Sequence, residues 1–281
     1  MDKEKLLERG FLLVALSSIS VLALIAFFIF EEGLPLMWKV GLQSFLLGDR
    51  WFPSKGSFGI FPMIVGSFWV TLGALVVGVP LGLACAIFLC ELTPPKVGMV
   101  LRPMIQLLAA IPSVIYGFWG LIVLVPLIRN HLGGPGLSIL AGSFVLGIMI
   151  LPTIISISED SLRALPRIYK EGALSLGATH WQTIWRVLLP AARSGIVASI
   201  ILGMGRALGE TMAMIMILGN AAQMPHSILN SARTLTTNIG IEMGYASGDH
   251  RAALFATGVV LFFIIMGLNS VALVISRKGR T

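Results

Sequence analysis

Two opposite charges lie close together in a very apolar part of the sequence, the stretch RALGETMAM at 206–214. Arg206 and Glu210 are four residues apart, so a continuous helix places them on the same face. A guanidinium offers a fork of donors that matches phosphate oxygens, and it does not lose its charge. The pair therefore predicts one of two things. It is either an anion-binding point, where Glu210 orients Arg206 and limits the affinity, or a buried ion pair that locks helix packing.

The apolar surroundings make the first interpretation attractive. Two charges facing lipid at the centre of a membrane helix would together cost about 5–7 kcal/mol on insertion scales, so they should face protein or water. Ser113 and Tyr116 flank Pro112 in another apolar run. They are candidates to line the same path, with ordinary packing as the alternative for both. Arg233 lies in a polar stretch and is interpreted as a solvated loop arginine.

The chain as a whole has the composition of a membrane protein. Of its 281 residues, 56% are hydrophobic and 12% are charged, against about 25% charged in an ordinary soluble domain. A helix of about 20 apolar residues crosses the hydrocarbon core, and six runs are long enough. These runs are 11–30, 56–90, 103–128, 132–158, 195–219 and 252–276, and only the fifth contains charges. We therefore predict an all-α integral membrane protein with six transmembrane helices.

The distribution of lysine and arginine predicts that the N- and C-termini are both cytoplasmic. In this orientation, thirteen basic residues fall in cytoplasmic segments and six in outer loops. The asymmetry accounts for the net charge of +7, so nucleic acid is not an expected partner. The predicted order is a cytoplasmic N-terminus at 1–10, a first span at 11–30, an outer loop at 31–61, a core at 62–276 with five spans and a cytoplasmic loop at 159–194, and a tail at 277–281.

The cytoplasmic loop shows the pattern of two short helices. Pro166 favours a helix start, and Gly177 favours a left-handed helix stop. Thr179, three residues before Gln182, predicts a capping box for a second helix, and Pro190 closes the segment. A rigid elbow of this kind suits docking to another protein. A plain helical hairpin that links two spans is the alternative.

The same loop resembles the EAA loop of ABC-importer permeases. That pattern is Glu-Ala-Ala, three residues, Gly, nine residues, and then Ile-x-Leu-Pro. Glu171, Gly172, Ala173, Gly177 and Pro190 occupy the corresponding positions, with Gly172 in place of the middle alanine. In that family the loop forms a coupling helix that sits in a cleft of the ATP-binding subunit. The resemblance implies the same docking role for these five residues.

Three further stretches resemble the PstC-type permeases of phosphate importers: LLAAIPSVIYGFWGL at 107–121, GRALGETMAM at 205–214 and RTLTTNI at 233–239. The resemblance implies a type I ABC importer permease fold and one half of a transmembrane path for inorganic phosphate. It also implies a part in translocation for Arg206 and Glu210. The implied setting is the inner (cytoplasmic) membrane of a prokaryote. The implied partners are a second, PstA-like permease subunit, a dimer of ATP-binding subunits, an extracytoplasmic phosphate-binding protein and membrane lipid.

Motifs for other functions are missing from the sequence. No G-x-x-x-x-G-K-[ST] loop is present, so ATP hydrolysis is expected from a separate subunit and the chain itself is predicted to be non-catalytic. No metal or cofactor motif involves the histidines or the two cysteines, and neither a metal nor a cofactor is expected. The alternatives that stay open are an ABC permease for another oxyanion or solute, an ion-coupled secondary transporter, and a membrane scaffold or phosphate sensor.

Overall fold

The computed structural model describes residues 2–278, with side chains described for 7–8, 10–271 and 274. Residues 1 and 279–281, which belong to the two predicted cytoplasmic termini, lie outside this part. The helices are α1 (Asp2–Val40), α2 (Leu42–Leu47), α3 (Phe61–Ile87), α4 (Pro95–Ala110), α5 (Ser113–Trp119), α6 (Val125–Leu132), α7 (Ile139–Arg163), α8 (Arg167–Ser175), α9 (His180–Thr183), α10 (Leu189–Ala191), α11 (Arg193–Gly209), α12 (Met212–Ile217), α13 (Leu235–Glu242) and α14 (Gly248–Lys278).

Short irregular segments connect or extend these helices. π-Helical turns at Phe88–Leu92, Gly120–Leu124 and Ile184–Leu188 follow α3, α5 and α9. A small antiparallel hairpin pairs β1 (Trp51–Phe52) with β2 (Ser57–Phe58).

Five helical segments among the described residues are long and apolar enough to cross a membrane. They are Gly10–Val40, Phe61–Leu92, Ser113–Leu132, Ile139–Arg163 and Gly248–Val271. A sixth is present if the pair His180–Ala191 and Arg193–Gly209, bent by 70°, counts as one span. Five spans, or six with this bent pair, agree with the six predicted transmembrane helices, although the pair lies earlier in the chain than the predicted run 195–219. The all-α class is confirmed.

The centre of the protein is the contact between α3 and α7. Gly78 of α3 faces Ile150 of α7, and Gly82 faces Ile154, so closely that an added Cβ would lie 2.8 and 2.7 Å from these side chains. Small residues let membrane helices approach closely, and the packing gained this way replaces the hydrophobic force that is missing in lipid. α11 packs against α7 as well.

The first helix is longer than predicted. Residues 31–40, the start of the predicted outer loop at 31–61, continue α1 to Val40. Glu31 ends the apolar run, but a glutamate does not break a helix. Gly33, just beyond it, packs so closely on α14 that an added Cβ would lie 2.7 Å from the Ala256 nitrogen. The contact with α14 therefore stabilises α1 beyond the end of its apolar run.

The predicted third span also has different bounds. The run 103–128 is divided between α4 and α5, because Ile111 precedes Pro112 and takes extended backbone angles (φ −65°, ψ 125°). A residue before proline is disfavoured in the helical region. The Tyr116 hydroxyl bridges this division by donating a hydrogen bond to the Leu108 carbonyl (2.8 Å). The span itself is Ser113–Leu132.

Candidate functional site

The apolar run that contains Arg206 and Glu210 is broken between two short helical segments. α11 ends at Gly209, and Glu210 takes extended backbone angles (φ −70°, ψ 128°). The Glu210 carboxylate accepts a hydrogen bond from the Ala213 backbone nitrogen (3.1 Å). It thereby satisfies one of the free N–H groups that begin α12. The predicted continuous helix at 195–219 is wrong at this point.

Arg206 and Glu210 consequently do not form the predicted same-face pair. Within the described side chains, neither group has an opposite charge within 4.0 Å. Each charge instead lies at the helix end that favours it, Arg206 in the last turn of α11 and Glu210 before the first turn of α12. A positive charge is stabilised at a helix C-terminus and a negative charge at an N-terminus. The two charges thus suit a break rather than a continuous helix.

Arg206 is exposed on the isolated chain, in the last turn of α11. Gly203, almost one turn earlier, contacts Ile150 and Ile154 near the middle of α7. Gly209 beside Arg206 leaves open space, since an added Cβ would meet nothing within 4 Å. A guanidinium at this depth is costly in lipid. The face that carries Arg206 must therefore meet water or another subunit.

The helix α5 places Ser113 and Tyr116 next to the break. Gly117 of α5 faces Ala213, the residue whose nitrogen binds Glu210, and an added Cβ would lie 2.8 Å from the Ala213 Cα. Tyr116 is buried and its hydroxyl already donates to the α4 carbonyl described above. Ser113 is half-buried at the start of α5. The structure therefore places α5, which carries both candidates, next to the break, and the Tyr116 hydroxyl is engaged by the Leu108 carbonyl.

The short helix α13 closes the other side of the break. Gly240 faces Thr211, with an added Cβ 2.8 Å from the threonine Cγ2. The Thr236 hydroxyl donates to the Glu210 carbonyl (2.9 Å). Thr236 lies in the stretch RTLTTNI, but local sequence alone did not connect it with Glu210. Backbone groups freed by a broken membrane helix need such partners.

The predicted glycine stop of the cytoplasmic loop is confirmed. Gly177 has a φ of +84°, a conformation that side chains with a Cβ rarely adopt. Its nitrogen donates to the Leu174 carbonyl (3.0 Å), and the Ala178 nitrogen donates to the Ala173 carbonyl (3.1 Å). This pair of bonds is the Schellman motif that ends helices at a left-handed glycine. We call the segment from α8 to α10, residues 167–191, the elbow.

The two arms of the elbow are held differently. The second arm begins with the predicted capping box, in which Thr179 and Gln182 exchange two hydrogen bonds (3.2 and 2.9 Å). Its residues Ile184 and Leu188 are buried in a cluster with Ile87 at the end of α3. The first arm, α8, buries none of its residues. The second arm is thus part of the packed core, and the first lies on its surface.

The tip of the elbow carries an exposed apolar patch. Leu176 is 91% exposed, Trp181 is 57% exposed and Trp185 is 54% exposed. The two tryptophan rings contact each other edge to face at 6.2 Å. An exposed apolar patch of this kind suits contact with another protein or with the membrane. Of the predicted coupling residues, the exposed ones are Glu171, Gly177 and Pro190, and the half-buried ones are Gly172 and Ala173. Leu176 is not one of the residues that define the EAA pattern, so the sequence pattern did not single it out.

At the opposite end of the protein, Arg233 is not the solvated loop arginine that its polar neighbours suggested. Its largely buried guanidinium donates to Glu242 and to the Asn238 side chain. The Glu242 carboxylate also accepts from Trp51 Nε1 (2.8 Å) and lies 2.7 Å from His250 Nε2. Burial raises the pKa of Glu242, but the hydrogen bonds from these three neighbours and the arginine charge outweigh it and hold that pKa below its ordinary value.

A bundle of apolar helices of membrane-spanning length, with a charged break and an elbow that has an exposed apolar tip, fits a transport permease. Comparison with known proteins agrees. Residues 78–280 match the binding-protein-dependent transport system inner membrane component family, and the chain belongs to this family.

Individual relatives refine this assignment. The chain is 46% identical over 237 residues to the probable ABC transporter permease protein YqgH of Bacillus subtilis (strain 168), covering 79% of this chain and 76% of that protein. It is 38% identical over 254 residues to the phosphate transport system permease protein PstC of Pasteurella multocida (strain Pm70), covering 83% and 78%.

A solved structure shares the fold. It is a bacterial ABC transporter involved in the import of the acidic polysaccharide alginate, with a TM-score of 0.61 at 16% identity over 100% of this chain and 99% of that chain. The predicted type I ABC importer permease fold is confirmed.

Proposed function

We propose that this chain is one of two permease subunits of an ATP-driven importer and forms half of the transmembrane path for inorganic phosphate. The observation that carries the proposal is Arg206, exposed in the last turn of α11 beside the break and free of any ion pair among the described side chains. A guanidinium in this state offers all of its donors to an oxyanion. The name of the PstC relative points to phosphate as that oxyanion.

The fixed position of Glu210 supports transport rather than tight binding. Because its carboxylate is held on the first turn of α12, it does not neutralise Arg206. It nevertheless lies within the same broken segment, where its charge opposes a long stay of the anion. A transport site must bind weakly enough to release its ion. Ser113 is proposed to line the path from α5, and Tyr116 to hold α5 in place beside it.

The energy is proposed to come from a dimer of ATP-binding subunits docked on the elbow. Glu171, Gly172, Ala173, Gly177 and Pro190 would form the docking segment together with the apolar tip. The chain itself is proposed to be non-catalytic. Its further partners would be a second, PstA-like permease, an extracytoplasmic phosphate-binding protein and membrane lipid. The elbow and both termini would lie in the cytoplasm of a prokaryote, with the chain in its inner membrane.

The test is transport by the reconstituted complex. The chain is co-purified with its partner subunits, placed in lipid vesicles and supplied with the phosphate-binding protein. We expect ATP-dependent uptake of radiolabelled phosphate, together with ATP hydrolysis that phosphate stimulates. Uptake of sulfate instead of phosphate would indicate a different oxyanion. Phosphate uptake driven by an ion gradient without ATP would indicate a secondary transporter and contradict the proposal.

A further inference from the structure

Glu91 contacts both arms of the elbow from the end of a membrane span. It lies in the π-helical turn that ends the span Phe61–Leu92, and its side chain is 9% exposed. The Lys170 Nζ of α8 donates to its carboxylate (2.6 Å). The Nε2 atom of His180, which begins α9, lies 4.0 Å from the same oxygen. One buried carboxylate therefore faces the elbow on either side of Gly177.

The first arm depends on this contact more than the second arm does. α8 buries none of its residues. In the part of the chain with described side chains, Lys170–Glu91 is the one side-chain hydrogen bond between α8 and a span. A cavity of about 510 Å³ lies between α8 and the spans, with Leu162 and Arg163 of α7 in its lining. The charged Lys170–Glu91 hydrogen bond thus joins α8 to a span across an open cavity.

A contact of this kind costs more to break than an ion pair between two exposed side chains. A largely buried carboxylate that loses its partner keeps its desolvation cost, so separation of Lys170 from Glu91 is unfavourable. A displacement of α8 therefore pulls on the end of α3 before it breaks the bond. The turn that carries Glu91 is π-helical, and such turns are frequent at functional positions in helices.

We propose that Glu91 is a positioning residue that links the first arm of the elbow to the span Phe61–Leu92. Movement imposed on α8 by the ATP-binding subunit then reaches the core of the permease through the Lys170–Glu91 bond. The packed second arm acts as the fixed side of the hinge at Gly177. This inference rests on the proposed function, because it takes the elbow to be the docking site of the motor.

The experiment measures the number of ATP molecules hydrolysed per phosphate imported by the reconstituted complex. Glu91→Gln and Lys170→Gln should each raise this ratio by about fivefold or more, in line with typical coupling energies between sites. The double variant with Glu91→Lys and Lys170→Glu restores a pair of opposite charges and should lower the ratio again. Lys39→Gln is the matched control, because Lys39 pairs with Asp249 at an exposed position (64% and 55% exposed). It should leave the ratio unchanged.

Hydrogen exchange of the same complexes gives a second measurement. Glu91→Gln should speed exchange of the α8 amides and leave the turn Ile184–Leu188 as it is. An unchanged ratio or unchanged α8 exchange in both single variants would overturn the inference. Loss of assembly in both single variants, without recovery in the double variant, would show a purely structural contact and also overturn it. Absence of phosphate import by the unmodified complex would instead refute the proposed function.

Discussion

The Thr236 hydroxyl donates a hydrogen bond to the Glu210 carbonyl at 2.9 Å, across 26 positions of sequence. This bond joins the short helix α13 to the break in the charged span. It supplies a donor to a carbonyl that the end of α11 leaves without a helical partner. The position of Glu210 is therefore set from two sides, by α12 through Ala213 and by α13 through Thr236.

Removal of the Arg206 charge should abolish most phosphate uptake. Hydrogen bonds to charged groups contribute about 1.5–3 kcal/mol each, so we expect Arg206→Ala to reduce uptake by about tenfold or more. Arg206→Lys keeps the charge but loses the fork and should recover only part of the activity. The measurement is the initial rate of phosphate uptake by vesicles. Arg50→Ala is the control, since the Arg50 side chain is 85% exposed. Failure of the Arg206→Ala complex to assemble would favour a packing role.

The hydrogen-bonding and charge effects of Glu210 can be separated by two substitutions. Glu210→Gln keeps an oxygen that accepts from the Ala213 nitrogen, whereas Glu210→Ala removes it. Loss of a bond of this type at a helix start costs about 1 kcal/mol. We therefore expect thermal unfolding of the purified complex to shift more for Glu210→Ala than for Glu210→Gln. Equal shifts would mean that the charge rather than the hydrogen bond is the important feature.

Replacement of Gly177 by a β-branched residue should uncouple ATP hydrolysis from phosphate uptake. Its φ of +84° is strained by about 1–2 kcal/mol for a residue with a Cβ. Gly177→Val should lower phosphate uptake while ATP hydrolysis continues, because the docking segment changes shape. Gly267→Ala is the matched control in α14, where an added Cβ likewise meets nothing within 4 Å. It should leave coupling unchanged, because alanine is unstrained at a helical position. Full coupling in Gly177→Val would argue against a docking role.

The Glu242 cluster should make the protein less stable in acid. The pKa of Glu242 is lower in the folded state than its ordinary value of 4.5, because its hydrogen bonds and the Arg233 charge outweigh burial. The folded state thus binds the proton less tightly than the unfolded state does. The stabilisation is present above pH 4.5 and is lost as the pH falls through the folded-state pKa.

The corresponding measurement compares the unfolding temperature of the unmodified protein with that of Glu242→Gln as the pH is lowered. The difference should stay constant near neutral pH and shrink below the ordinary pKa of the carboxyl. Glu32→Gln, at an exposed position on α1, should show no such dependence. A difference in unfolding temperature that does not change with pH would mean that the carboxylate charge of Glu242 does not contribute to stability.

Several features were predictable because their causes are local. Each apolar run reports directly on its own preference for lipid, so the number of spans and the all-α class follow from hydropathy. The Gly177 stop and the Thr179–Gln182 capping box involve residues no more than five positions apart. The Glu171 to Pro190 spacing is likewise a local pattern, and it identified the elbow.

The sequence by itself therefore determined the class of the protein, the approximate number of its spans and the elbow, because these depend on neighbours along the chain. Only the tertiary structure decided that Arg206 lies at the end of α11 and Glu210 in the break before α12, because contacts with α12 and α13 complete that break. It also decided that α1 continues to Val40 and that Arg233 is buried with Glu242. These outcomes depend on contacts between distant segments, and the free energy of such contacts is not contained in any local pattern of residues.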